Sequence, residues 1–368
     1  GANTTGASNV AIGRQSLENN TTASWNTAMG DWSLKANTTG AQNVAIGQQA
    51  SYANTTGASN VAVGYNASQY NTTAVIILVL VNTAVGHNSL TSNTTGASNT
   101  AVGKDALGSN TTAAANTALG YGVLRDNTTG TSNTGAGYLA LEENTTGINN
   151  SAFGFEALEN NTTGGSNVAV GYQALDANTT ASNNTAVGYA SLGANTTGAS
   201  NVAVGSQALD ANTTGYNNAS LGTSSLSANI TGAQNASVGT YSLYLNTAGG
   251  GNSALGYQAL YNNTASNNTA MGSNSLYANT TGTQNVAVGS GASDANTDGD
   301  YNVAVGNGAL GSDTRGNFST GIGHGALNSQ NTTNDTDMYN TAVGYLAGTL
   351  VTTGVQNTLI GGQAGDSL

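Results

Sequence analysis

The sequence predicts an all-β protein, a parallel β-solenoid (β-roll or β-helix) with about 17 residues per coil and about 21 coils. Two recurring phrases predict it. Asn-x-Ala-x-Gly returns at a 17-residue period, and Asn-Thr-Thr-Gly or a close relative follows most copies. The residues around the first phrase are rich in Val, Ala, Tyr and Leu, which suits a short strand, whereas the second phrase is typical of a turn. The glycines of the first phrase are Gly13, Gly30, Gly47 and Gly64, then every seventeenth residue from Gly86 to Gly256, then Gly272, Gly289, Gly306, Gly323, Gly344 and Gly361.

The copies form one repeat array over residues 1–368, without a separate globular domain. Coils stacked about 4.8 Å apart would make a rod on the order of 100 Å long. Two coils are irregular, at 65–86 and 324–344. The first contains the apolar run 75–81, which is either a genuine insertion at an oligomer interface or the product of a reading-frame slip. The second contains a polar insertion at 334–338, which predicts a longer surface loop.

Composition excludes several classes of function. The net charge is −12 and there are only five Lys and Arg, so a basic surface for nucleic acid is not expected. No apolar run reaches the roughly 18 residues of a membrane span, so no membrane insertion of this segment is expected. The chain begins inside a repeat and reads as part of a longer protein. Cysteine is absent, which leaves the redox compartment open.

No catalytic set stands out, because the sequence offers no paired carboxylates, nucleophile with base, or phosphate loop. We therefore expect no enzyme activity and no cofactor. One phrase resembles a metal site: Asp294, Asn296, Asp298 and Gly299 match the first half of a calcium loop. The closing Glu would fall at Val305, which cannot bind a cation, so no metal is expected.

The first-phrase Asn lies four residues before the glycine and is expected to form a structural ladder along the axis. On each strand, Val168 and Val170 share one face with the tyrosine that follows, and Asn167 and Ala169 share the other. The column of Val170 is expected to be core. The small face is expected to pack against another chain, with a narrow single-chain core as the alternative. The ladder begins with Asn9, Asn26, Asn43, Asn60, Asn82, Asn99, Asn116, Asn133, Asn150, Asn167, Asn184 and Asn201.

The second-phrase Asn satisfies the N-glycosylation rule Asn-x-Ser/Thr, and its place on a predicted turn would leave room for a sugar. The alternative is turn chemistry, since Asn and Gly favour tight turns. The candidate glycosylation sites are Asn3, Asn20, Asn37, Asn54, Asn71, Asn93, Asn110, Asn127, Asn144, Asn161, Asn178, Asn195, Asn212, Asn229, Asn262, Asn279 and Asn331.

Aromatic residues follow the glycine in five successive copies, and they predict a continuous strip that either stabilises the rod by stacking or binds sugars. The strip consists of Tyr121, Tyr138, Phe155, Tyr172 and Tyr189. The Thr columns suggest an ice-binding face as a further alternative. Adjacent Thr residues point to opposite sides of a strand, so at most one column could face ice.

The phrase Asn-Thr-Ala-Val-Gly-Tyr-x-Ala-Leu followed by Asn-Thr-Thr-Gly resembles repeats of bacterial and phage tail-fibre-like proteins. Asn-Val-Ala-Val-Gly is also similar to the head repeats of trimeric autotransporter adhesins, a resemblance that implies a parallel β-roll and a trimer. The expected function is the rod of an extracellular fibre or adhesin on a cell surface or virion, with copies of itself and cell-surface carbohydrate as partners. The alternatives are a secreted filament that displays N-glycans from its turns, and a carbohydrate- or ice-binding solenoid.

Overall fold

The computed structural model describes residues 2–72 and 81–366. Over these residues the chain is an all-β parallel solenoid of about 20 coils with about 17 residues per turn, and none of them is helical. The predicted fold class and period are therefore confirmed. Strand residues pair with their equivalents one copy later, as Thr27 pairs with Val44 and Val44 with Val61. Residues 73–80, which hold most of the apolar run at 75–81, lie outside the described residues.

The chain divides into two compact units, residues 1–183 and 184–368. In unit 1 each strand pairs in parallel with the next along the chain. Its strands are β1 Val10–Ile12, β2 Thr27–Met29, β3 Val44–Ile46, β4 Val61–Val63, β5 Thr83–Val85, β6 Thr100–Val102, β7 Thr117–Leu119, β8 Thr134–Ala136, β9 Ser151–Phe153 and β10 Val168–Val170.

Unit 2 repeats this arrangement and adds a second, two-stranded parallel sheet made by β19 and β21. Its strands are β11 Thr185–Val187, β12 Val202–Val204, β13 Ala219–Leu221, β14 Ala236–Val238, β15 Ser253–Leu255, β16 Thr269–Met271, β17 Val286–Val288, β18 Val303–Val305, β19 Gly316–Asn317, β20 Thr320–Ile322, β21 Thr336–Asp337, β22 Thr341–Val343 and β23 Thr358–Ile360.

The glycine that follows each three-residue strand is required by the backbone. Gly205 has a φ of +137°, a region that L-residues with side chains rarely adopt. A Cβ atom there would also lie 2.5 Å from the carbonyl oxygen of Gly222, one coil further along. The glycine column therefore lets the chain bend while successive coils stay within β-pairing distance.

The interior of each coil is narrow and is filled by small residues and one Leu. Ala45 on β3 and Leu34, four residues after the strand-ending glycine, are both fully buried. The packing leaves little spare volume. Val123 occupies a column that otherwise holds Ala or Ser, and the residue opposite it is Gly135. A Cβ atom on Gly135 would lie 2.5 Å from the Val123 side chain, so the larger residue is matched by the smaller one.

Two of the predictions for the strand are wrong because of this narrow interior. The column of Val170 is not core, because Val168 and Val170 are each 37% exposed. The small face does not pack against another chain: Ala169 is fully buried inside its own coil, which is the narrow single-chain core that was the alternative. The physical reason is size, since a 17-residue coil has no room for β-branched side chains opposite its Leu column.

The irregular coil at 324–344 is more than a surface loop. Residues 333–335 are exposed, as predicted for the insertion, but Met338 is fully buried. The insertion also supplies β21, whose Thr336 pairs with Gly316 of β19. The extra residues therefore add a short sheet and one buried side chain to the repeat.

Candidate functional site

The first-phrase Asn residues form a ladder inside the coils, which we call the strand ladder. The side-chain oxygen of Asn43 accepts the backbone N–H of Asn60 at 3.0 Å, and its Nδ2 donates to the carbonyl oxygen of Gly57 at 2.8 Å. The same contacts recur from copy to copy, as between Asn116 and Asn133. Each amide thus links its own coil to the next one and satisfies backbone groups that no water reaches.

The second-phrase Asn residues form another ladder, the turn ladder, and it is also internal. Asn144 Nδ2 donates to Asn127 Oδ1 at 2.8 Å and to the carbonyl oxygen of Gly147 at 3.1 Å. Asn161 in turn donates to Asn144 Oδ1 at 2.7 Å. The two ladders meet where Gly57 O accepts from both Asn43 and Asn54. They form the polar half of the core, beside the Ala and Leu columns.

The expectation that the sequon Asn faces solvent is wrong for most of the candidate sites. N-glycosylation attaches the sugar to Nδ2, and in the turn ladder this atom is buried and already donates two hydrogen bonds. A glycan at such a position is incompatible with the folded coil. The buried candidates are Asn20, Asn37, Asn54, Asn71, Asn93, Asn110, Asn127, Asn144, Asn161, Asn178, Asn195, Asn212, Asn229 and Asn279.

Three candidate sites lie outside the core. Asn3 and Asn331 are exposed, and Asn262 is half-buried. Asn262 belongs to the one copy that is a residue shorter, and there Asn263 takes the place in the turn ladder. The Oδ1 of Asn263 accepts a hydrogen bond from Asn279 Nδ2 at 2.7 Å. The sequon and the ladder residue are therefore different residues in this copy.

The sequence contained a signal for the turn ladder. Asn246, Asn263 and Asn296 keep the Asn although each has lost the Thr or Ser that a sequon needs two residues later. All three are buried in the ladder. An Asn that persists without its sequon indicates a structural role for the amide.

The large apolar residues of the strands face outward. In the column just before the glycine, Leu119 is 53% exposed and Leu221 is 50% exposed. The strand residue two positions earlier lies on the same face and is Val, Thr, Ala or Ser. Neither column carries a charged residue in any copy. We call these two columns the strand face. In unit 1 the strand face spans ten strands, or about 45 Å by about 10 Å.

The predicted aromatic strip is a stack of rings in unit 1. Tyr121, Tyr138, Phe155 and Tyr172 lie with ring centroids 5.1–5.2 Å apart and planes within 11° of parallel. Tyr189 lies in unit 2 and is exposed. Each inner ring has its faces covered by its neighbours, so the stack presents ring edges to solvent. This geometry favours stabilisation by stacking over a platform on which a sugar would need an open ring face.

The two Thr residues of each turn have different environments. Thr38 Oγ1 donates to the carbonyl oxygen of Thr55 at 3.0 Å, so the first Thr belongs to the internal network. The second Thr, such as Thr39 or Thr112, is exposed. The alternation leaves one exposed Thr column in each unit. A single column is a narrow surface for ice binding.

Charged residues gather on one edge of unit 1. Arg125 pairs with the Glu142 carboxylate and with Asp126 at 3.0 Å. Glu159 follows Glu142 in the same column, and its pKa is raised to about 7 by burial, by a hydrogen bond with Glu142 and by the charges of Glu156 and Asp176. Burial also raises the pKa of Asp176. These carboxyl groups interact with each other and with one cation.

The calcium-like phrase does not converge on a site. Asn296 belongs to the turn ladder, where it donates to Asn279 Oδ1 at 2.7 Å, and Asp298 pairs with Arg315 at 3.4 Å. Within residues 2–72 and 81–366, no three His, Cys, Asp or Glu residues are grouped so as to hold a metal ion. Over the same residues, no helix is long and apolar enough to cross a membrane.

No protein-family model matches this chain, and no curated protein matches its sequence.

Proposed function

We propose that this chain is a non-enzymatic structural protein, the rod of an extracellular fibre or adhesin, and that it assembles with copies of itself through the strand face. The observation that carries the proposal is the outward orientation of the largest strand residues. Most coils bury Ala and expose Val, Ile, Leu or Met, although the reverse would remove more apolar surface from water.

A second copy of the same chain fits this surface better than an unrelated partner. The strand face repeats once per coil, so another copy presents the same columns at the same spacing over its whole length. It carries no charge that would have to be desolvated on contact. Extended uncharged apolar surfaces of a few hundred Å² mark interaction sites. A closed ring of identical chains would cover them, and the resemblance to trimeric adhesins favours three copies.

Display of N-glycans from every turn is not retained as an alternative, because the turn ladder occupies the acceptor atoms. The internal ladders instead support a role in building length. Most coils contribute the same amide contacts to the next coil, so the number of repeats sets the length and each repeat is stabilised by its neighbours.

Light scattering of the full chain tests the proposal. We expect a mass three times the 36.2 kDa of one chain. The double variant Leu119→Ser/Phe153→Ser removes two exposed strand-face residues, and we expect the assembly to dissociate at concentrations at which the parent stays intact.

Ile148→Ser is the matched control, since Ile148 is 46% exposed but lies outside the strand face. It should leave the mass unchanged. A monomeric parent chain at micromolar concentration, or equal dissociation of the control, would contradict assembly through the strand face.

A further inference from the structure

A polar notch lies on the surface of unit 2, away from the strand face. It has a volume of about 450 Å³ and is lined by side chains of Asn274, Asp294, Asn307 and Asn328, with Ser290 and Ser312. The volume is within the range of about 300–1,000 Å³ that small-molecule sites occupy.

The notch exists because three residues lack side chains where the repeat normally has them. Gly291 and Gly308 occupy the second position after the strand-ending glycine, and Gly311 occupies the fifth. In the two preceding copies the second position holds Gln258 and Asn274. The missing side chains leave a gap that residues of neighbouring coils line.

The backbone does not require glycine at the second position. Gly308 has a φ of +62°, and Asn274 and Gln258 adopt +57° and +55° in the same column. A Cβ atom on Gly308 would meet nothing nearer than Asn328 Nδ2, at 3.4 Å. The strand-ending glycines are different, because their φ values and close contacts exclude a side chain. The distinctive feature of Gly291 and Gly308 is therefore the space that they leave.

The lining groups are held in place by the coil. Asn328 Nδ2 donates to the carbonyl oxygen of Gly308 at 2.8 Å, and Asn307 Nδ2 donates to that of Ser290 at 3.1 Å. Each amide has a second N–H and a carbonyl oxygen beyond these contacts. Asp294 is half-buried, and burial raises the pKa of its carboxyl group. An ordered acceptor thus lies beside ordered amide donors.

The chemistry of the lining selects among ligand classes. No Lys, Arg or His lines the notch, so it offers no positive charge to a phosphate or sulfate. It has one carboxylate, whereas calcium takes six to eight oxygen ligands, usually from several acidic groups. A mixture of hydroxyl, amide and carboxylate groups suits a neutral molecule with several hydroxyl groups.

An aromatic ring lies one coil before Asp294, outside the lining of the notch. Tyr277 precedes Asp294 by one coil in the same column, and it stacks on Tyr261 with ring centroids 5.3 Å apart. The column then changes from Tyr to Asp294 and to Gly311. The aromatic stack therefore ends one coil before Asp294, so that aromatic and hydrogen-bonding residues follow each other in one column, as sites that bind amphipathic small molecules combine the two.

We propose that this notch is a binding site for a neutral saccharide unit, with the Asp294 carboxylate and the Asn328 and Asn274 amides as hydrogen-bonding partners. The site occurs once in unit 2, because no other copy there combines glycine at the second position with glycine at the fifth position of the same coil. It would give a repetitive rod one distinct point of attachment to a carbohydrate surface, and it does not depend on assembly through the strand face.

The test uses the full chain on an array of neutral mono- and disaccharide glycosides, followed by saturation-transfer NMR with the glycoside that binds best. Two variants address the site independently. Asp294→Asn removes the charged acceptor, and Gly308→Gln fills the notch with the residue that the repeat carries at Gln258. Each should weaken binding by about tenfold or more, because hydrogen bonds to charged groups and a filled site both act directly on the ligand.

Ala190→Gln is the matched control, since Ala190 lies at the second position of another coil of unit 2 with a φ of +50°. It should bind like the parent. Circular dichroism spectra that match the parent show that each variant is folded. The proposal is overturned if no glycoside on the array binds, or if the glycoside that binds is held equally well by Gly308→Gln and Asp294→Asn.

Discussion

The two faces of a single strand differ in a way that governs the whole repeat. On β10, Ala169 is fully buried while Val168 and Val170 are each 37% exposed. In an ordinary globular sheet the larger residues would be inside. Here the inside is shared by Ala, Leu and two rows of amides, and the larger residues of the strand are exposed.

We expect the two faces to contribute to different properties, the stability of the single chain and its assembly. The inward columns hold successive coils of one chain together, through close backbone approach and buried hydrogen bonds. The outward columns are left exposed in the single chain, and we propose that they provide the surface for assembly. Substitutions on the two faces should therefore have different effects, and the expected effects can be ranked.

The largest effect is expected from Gly205→Ala. The new methyl group would require an unfavourable φ and would clash with Gly222, so we expect a local loss of more than about 3 kcal/mol. Hydrogen exchange should show faster exchange in the coils on either side of the substitution, since repeats depend on their neighbours.

Gly108→Ala provides the control for this substitution. Its Cβ atom would lie 3.3 Å from the nearest atom, the Asp105 carbonyl oxygen, and its φ is ordinary. We expect a change below about 1 kcal/mol. Equal exchange in the two variants would show that the glycine column is not the point of close approach.

A smaller but substantial effect is expected from Asn144→Ala in the turn ladder. The substitution leaves Asn161 Nδ2 and the Gly147 carbonyl oxygen without this buried partner, which should cost about 3 kcal/mol. Urea denaturation followed by circular dichroism measures the loss. Thr146→Ala also removes the sequon but changes an exposed residue, so it should be nearly neutral. A neutral Asn144→Ala would refute the structural role of the ladder.

The smallest effect is expected from Glu159→Gln, among the charged residues of unit 1. The folded-state pKa of Glu159, about 7, lies above its ordinary value of 4.5. Its protonation therefore favours the folded state, a contribution that is fully present below about pH 4.5 and is lost as the pH rises through 7. The variant should be slightly more stable than the parent at pH 8 and equal to it at pH 4.

Thermal unfolding of both proteins across this pH range measures the difference. Because Glu159 is partly exposed, solvent screening keeps the gain small. Glu143→Gln is the control, as Glu143 is an exposed residue on the same coil as Glu142. If the difference in thermal stability between the parent and Glu159→Gln does not vary with pH, the raised pKa is contradicted.

The sequence was sufficient to predict the coils but not which face of each strand points inward. A constant 17-residue step fixes which residues pair, as Val44 with Val61, because parallel stacking of equal coils allows no other register. Alternation separates the column of Ala169 from that of Val170, but it does not say which points inward. That depends on the width of the coil, which is a property of the closed turn rather than of any local segment.

The turn Asn residues were misassigned for a related reason. A polar residue in a turn is usually solvated, and Asn-Thr-Thr also matches a sequon. In a coil this narrow, however, the turn encloses its own amide, and Asn144 satisfies the carbonyl oxygen of Gly147 three residues later. The notch in unit 2 was also missed, because it results from missing side chains on adjacent coils that are distant in sequence.

Cysteine labelling tests most directly whether copies of the chain cover the outward face. The chain has no cysteine, so single substitutions can be compared by their reaction with a maleimide. Thr112→Cys, at an exposed turn residue, should react rapidly, and Ala118→Cys, at a fully buried residue, should react only on unfolding. For Leu119→Cys, 53% exposed in the single chain, we predict protection in the native protein and rapid reaction once the assembly is diluted to monomers. Rapid labelling of Leu119→Cys at all concentrations would contradict the account.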